Sequence, residues 1–199
     1  MTPENFLPSG ISLLLFPPFN NGGLLRGTSS AIEYAVRFLK VKHIVVLGHA
    51  GCSGINALAT GNFQVTEHHD FQFVPHWLNI GLDAKNEIFG QFESFSENER
   101  IKLLEQAGVL VSMQNLLSFP WIKAEHHNGE LNIHGWYFDM KKGELLEYNR
   151  VEGQFFPLRP EQETTPQDAL KNETVQYLEF FLGNAKKGGE HIFLDSDQG

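Results

Sequence analysis

Apolar residues recur at helical spacing over much of the chain. After Gly27, the positions Ala31, Ile32, Ala35, Val36 and Leu39 form one face of a helix that Thr28 or Ser29 can cap. Residues 98–123 carry a longer pattern through Ile101, Leu104, Ala107, Leu110, Met113, Leu116 and Leu117. Ser118-Phe119-Pro120 breaks it, and the helix resumes beyond. Shorter helices are expected over 55–59, near 75–80 and over 167–182. Three stretches read as strand. Residues 42–48 hold the β-branched run Ile44-Val45-Val46-Leu47, which follows a helix and so predicts a buried parallel strand. Residues 131–140 alternate, Lys141–Gly143 turns, and 144–148 is the expected hairpin partner.

These elements predict an α/β domain, a central mainly parallel sheet flanked by helices with a hairpin added. Its expected extent is 22–150. Residues 1–21 stand apart as an aberrant N-terminal segment rich in Leu, Phe and Pro, without strand alternation or helical spacing. Residues 151–199 read as a Pro- and Gln-rich, partly helical extension.

Composition narrows the function classes. The chain has 199 residues, 41% of them hydrophobic, enough for one sizeable core. Its net charge is −9 without a run of Lys or Arg, which argues against a nucleic-acid surface. No apolar stretch approaches the roughly 18–20 residues of a membrane span. Residues 11–19 lack the basic start and small-residue cleavage site of a signal peptide. The one cysteine, Cys52, excludes a disulfide within the chain. A soluble, reducing, cytoplasmic setting is expected.

Candidate chemistry centres on His49 and Cys52. They follow the expected parallel strand, at the end where open α/β sheets place ligands. A His and a Cys three apart at such a turn can bind one Zn²⁺ through imidazole nitrogen and thiolate sulfur. The bland alternative is a buried cysteine beside a capping turn. A second chemical reading treats Ala50-Gly51-Cys52-Ser53-Gly54 as a nucleophile elbow, with Cys52 activated at a helix N-terminus and His134 or His191 as its base. His68, His69 and His76 form either a metal cluster or a solvated helix face. His126 and His127 are placed to complement a helix C-terminus. His134 reads as a hydrogen-bonded strand residue, and Glu33 as an ion-pairing surface residue.

The segments 27–36 and 43–54, the latter ending His49-Ala50-Gly51-Cys52-Ser53-Gly54, resemble β-class carbonic anhydrases. So do Ser112-Met113-Gln114-Asn115-Leu116-Leu117, Pro120-Trp121, His134-Gly135-Trp136 and Gly143-Glu144-Leu145-Leu146, in the family's order and spacing. The resemblance implies that family's fold and reversible hydration of CO₂ to bicarbonate. It also implies Zn²⁺ held by two Cys and one His, and a homo-oligomer, dimer or higher. His49 and Cys52 map onto the second and third protein ligands. The family's first ligand lies in an upstream Cys-x-Asp-x-Arg motif that this sequence lacks, together with the Asp and Arg. Ser53 stands where the family usually has Gly. Activity of the chain as written is therefore expected to be impaired. A non-catalytic binding or assembly relative and a Cys52 hydrolase are the alternatives.

Residues 1–18 bear on the missing motif. Read out of frame, their codons can spell Asp-Ala-Gly-Glu-Phe, then Ala-Val-Arg-Asn-Ile-Ala, ending in Val-Pro-Pro, in register with the family. The codon across Leu13-Leu14 alone cannot encode the usual Asn. The expectation is a frameshift near Pro17-Pro18, with Cys-x-Asp-x-Arg encoded upstream in the other frame.

Overall fold

The apolar run before His49 forms strand β1 (His43–His49) in a computed structural model of the chain. That structure describes residues 15–19, 27–61 and 73–158. The expected helix over 167–182 lies outside them, as do His68, His69 and His191. Helix α1 (Gly27–Glu33) leads in through a π-helical turn, Tyr34–Phe38. After β1 come α2 (Ser53–Thr60), α3 (Val74–Leu78), the 3₁₀ turn Asn79–Gly81, α4 (Leu82–Gln91), α5 (Glu97–Leu117) and α6 (Pro120–His127). Strands β2 (Asn132–Asp139), β3 (Glu144–Asn149) and β4 (Gln154–Pro157) follow.

The sheet runs in the order β1-β2-β3-β4. β1 and β2 are parallel, with His43 opposite Asn132 and His49 opposite Phe138. The helices between them supply the crossover that parallel pairing requires. β2–β3 and β3–β4 are antiparallel. The α/β class is as expected, but the sheet is less parallel than the expected mainly parallel one. Among the described residues one pairing of three is parallel, because the chain after β2 turns back on itself twice. At the first turn Asp139 Oδ1 accepts from the N–H groups of Lys141 and Lys142, and Gly143 takes φ 65°. At the second, Asn149 Oδ1 accepts from those of Val151 and Glu152. This second turn creates β4, where no strand was expected; its Pro157 is tolerated on the sheet edge.

One face of the sheet is buried through Val46 and Gly48 on β1 and Ile133, Gly135 and Tyr137 on β2. Helix α5 covers it. Ser96 and Glu99 start α5 with a capping box. Every residue from 103 to 110 is buried, so the middle of α5 is covered on every side and is the core's central rod, while its first turn is exposed. It approaches β2 closely at Gly135, where a Cβ would lie 2.5 Å from Met113 Sδ and 3.1 Å from Val109 Cγ1.

Residues 15–19, set aside as patternless, dock onto α5. Phe16 N–H donates to Ser112 Oγ at 2.8 Å, and Asn115 Nδ2 donates to the Phe16 carbonyl at 2.6 Å. Trp77 Nε1 donates to the carbonyl of Leu15, whose side chain is fully buried. The segment is held by these backbone hydrogen bonds and by Leu15, Phe16 and Phe19 packing as irregular chain, so it has no helical or strand periodicity to read.

Candidate functional site

The parallel ladder ends by delivering His49 to the carboxyl edge of the sheet, and Ala50 N–H closes it on the Phe138 carbonyl at 2.9 Å. His49 Nδ1 lies 3.1 Å from the Ala50 carbonyl. A carbonyl only accepts, so this nitrogen carries the proton and Nε2 keeps its lone pair. Such an anchored imidazole is the usual form of a metal-ligating histidine. Gly51 then takes φ 72°, open on its Cβ side, so the turn's conformation alone requires glycine there. Cys52 follows as the N-cap of α2 and is buried. Its thiol makes no capping bond.

A residue not singled out in the sequence holds this turn. Glu105 of α5 is 3% exposed. Its Oε1 accepts from Gly51 N–H at 2.7 Å and Cys52 N–H at 3.1 Å, and its Oε2 accepts from Tyr137 OH at 2.7 Å. A buried carboxylate at the N–H groups just before α2 complements that helix end. Burial, then the hydrogen bond and charge of Glu105, push the Tyr137 phenol well above its ordinary range, so it remains a donor. One signal for Glu105 was available: it interrupts the run of apolar residues on α5 with a charge that the core must satisfy.

The residue types at this turn suit zinc: one imidazole nitrogen and one sulfur. Their number falls short of the three or four protein donors that zinc sites take. Among the described residues no group of three or more His, Cys, Asp or Glu could hold a metal ion. His76 is exposed on α3, and its expected companions lie outside the described residues. The elbow reading gains little. His134, one proposed base, is bonded to His43 and Glu147, and Glu105 rather than a general base meets the Cys52 turn. His126 and His127 end α6 as expected, with His126 Nδ1 donating to the Leu131 carbonyl at 2.8 Å. Glu33 pairs with Arg37 at 2.8 Å. No described helix is long and apolar enough to cross a membrane.

Comparison with known proteins agrees with the geometry. Residues 16–145 match the family model for carbonic anhydrase. A carbonic anhydrase of Synechococcus elongatus is 29% identical over 137 residues, covering 69% of this chain and 48% of that protein. The chloroplastic β-carbonic anhydrase 5 of Arabidopsis thaliana is 30% identical over 125 residues, covering 63% and 40%. The chain thus spans about half the length, or less, of these two relatives. A solved β-carbonic anhydrase superposes with a TM-score of 0.64 at 26% identity, covering 72% of this chain and 68% of the other. One of two tetrameric β-carbonic anhydrases of Sordaria macrospora gives 0.50, also at 26%, covering 67% and 62%. With the strand-to-helix turn of His49 and Cys52 intact at the sheet's carboxyl edge, this chain belongs to the β-class carbonic anhydrases.

Proposed function

We propose that His49 and Cys52 are two zinc donors of a carbonic anhydrase that interconverts CO₂ and bicarbonate, and that these 199 residues alone form a half-site. The observation that carries the reading is the anchored His49 ring. Its Nδ1 is tied to the Ala50 carbonyl and its Nε2 is left bare, three residues before Cys52. Zinc held there would supply an acidified water as nucleophile. The chain's own part is to hold the two donors in place. Glu105 pins the backbone between them, and Tyr137 pins Glu105.

With two donors the site stays half open. Zinc binding by the 199-residue chain is weak, and CO₂ hydration stays near the uncatalysed rate. The functional protein is a homo-oligomer, and a reducing compartment such as the cytoplasm keeps Cys52 a thiol. Zinc competition against a chromophoric chelator, with stopped-flow CO₂ hydration, tests this. His49→Ala and Cys52→Ser should each abolish the residual zinc binding. Tight one-to-one zinc with fast hydration by the unaltered chain would overturn the half-site, and zinc binding indifferent to both substitutions would overturn the donors.

A further inference from the structure

A second set of donors lies on the other, half-exposed face of the sheet. His43 opens β1, and His134 lies on β2 opposite Val45, so both side chains rise from the same face. His43 Nδ1 is 3.0 Å from His134 Nε2, and His134 Nδ1 is 2.8 Å from Glu147 Oε1 on β3. The carboxylate selects the tautomer. His134 Nδ1 carries a proton and donates it to Glu147, which leaves Nε2 a bare lone pair aimed at His43. His43 fills the gap with its own Nδ1–H, so a single proton separates two imidazole nitrogens.

We propose that these two nitrogens bind Cu²⁺, an ion that favours imidazole and stands above Zn²⁺ in affinity for nitrogen donors, which takes the place of that proton. Metal–nitrogen bonds of about 2.0–2.1 Å set two imidazoles roughly 2.9–3.4 Å apart on one ion. The observed 3.0 Å lies within that span, so turning the two rings off their hydrogen-bond axis brings both nitrogens onto one ion without moving either strand. Glu147 stands behind His134 as the carboxylate that commonly orients and strengthens a ligating histidine. Burial, then the nearness of His134, lowers the affinity of His43 for a proton, which favours the neutral, ligating ring. The His134 and Glu147 side chains are 26% and 34% exposed, leaving room for water in the remaining positions. The Trp136 ring centroid lies 6.3 Å from that of His134, and its indole N–H is buried without an acceptor among the described residues; a coordinated water can supply one. The nearest lysine in sequence, Lys42, is paired with Glu130. The displaced proton moves to His43 Nε2, so the ring stays neutral and binding releases no net proton to the buffer.

The inference is independent of the zinc reading, and its test keeps them apart. The 199-residue chain carrying His49→Ala and Cys52→Ser, which also removes the thiol that would reduce copper, is titrated with CuCl₂ by calorimetry. Electron paramagnetic resonance is then recorded on the complex. One Cu²⁺ per chain is expected, with hyperfine splitting from two imidazole nitrogens. Adding His43→Gln or His134→Gln should weaken binding at least about tenfold, and Glu147→Gln about tenfold. Copper held by other histidines would leave the affinity unchanged in both Gln variants and would overturn the proposal. So would a spectrum lacking nitrogen splitting, which is read with His43 and His134 intact and so does not depend on how the variants fold. Failure of zinc to bind at His49 and Cys52 leaves this titration untouched.

Discussion

Glu105 makes the Cys52 turn depend on a residue more than fifty positions away. Glu105→Ala leaves two backbone donors and the Tyr137 hydroxyl without an acceptor in the core. A loss of about 3 kcal/mol is expected, read from urea unfolding. Glu105→Gln keeps one oxygen for the Gly51 and Cys52 N–H groups and costs less, and a loss equal to the Ala variant's would contradict the pairing described. Tyr137 gives the pH dependence. An unfolded tyrosine ionises near pH 10. The folded one is held protonated, first by burial and then by Glu105. Above about pH 10 the unfolded chain therefore binds fewer protons than the folded chain, and stability falls as pH rises. Tyr137→Phe should be less stable at pH 7 through the lost hydrogen bond, yet show a shallower decline above pH 10. Unfolding curves at pH 8 and 10.5 compare the two slopes.

At the scale of elements, what was legible followed one rule: periodicity reports elements that bury a side-chain face. α5 and the β2–β3 hairpin were readable because their apolar positions repeat at 2 or near 3.6 residues, and β1 because its unbroken β-branched run marks a strand buried in the sheet. The helix after Gly27 was read as one helix through Leu39, yet its end is π-helical, with Leu39 N–H bonded to the Tyr34 carbonyl. Side-chain spacing does not distinguish those hydrogen-bond patterns. β4 escaped because it has four residues and its partner is chosen by the Asn149 turn. The site divided likewise: His49 and Cys52 are three apart in sequence, whereas Glu105 and Tyr137 reach them only through the packing of α5 on β2. That packing is itself testable at Gly135. Gly135→Ala brings a methyl against Met113 and Val109 and should cost about 1–3 kcal/mol in thermal unfolding. A neutral result would mean that α5 does not lie this close to β2.

The whole molecule joins a packed core to a donor set that the described residues leave short. α5 ties together both halves: it backs the sheet, binds residues 15–19 through Ser112 and Asn115, and pins the Cys52 turn through Glu105. The out-of-frame reading of residues 1–18 makes its prediction at this scale. Sequencing the gene from well upstream through the Pro17-Pro18 codons should find Cys-x-Asp-x-Arg in another frame. Its absence from every frame would retire the frameshift.

β1 has a further consequence, because among the described residues nothing pairs on its far side. Ala50 N–H reaches the Phe138 carbonyl, and the Lys42 carbonyl accepts from Asn132, so the even-numbered residues turn their backbone groups toward β2. Those of Val45 and Leu47 point the other way, along a strand of the apolar kind that sheets normally enclose. Hydrogen–deuterium exchange should run in alternation along β1, fast at Val45 and Leu47 and slow at Val46 and Gly48. Slow exchange at all four marks the moment another strand is laid against it.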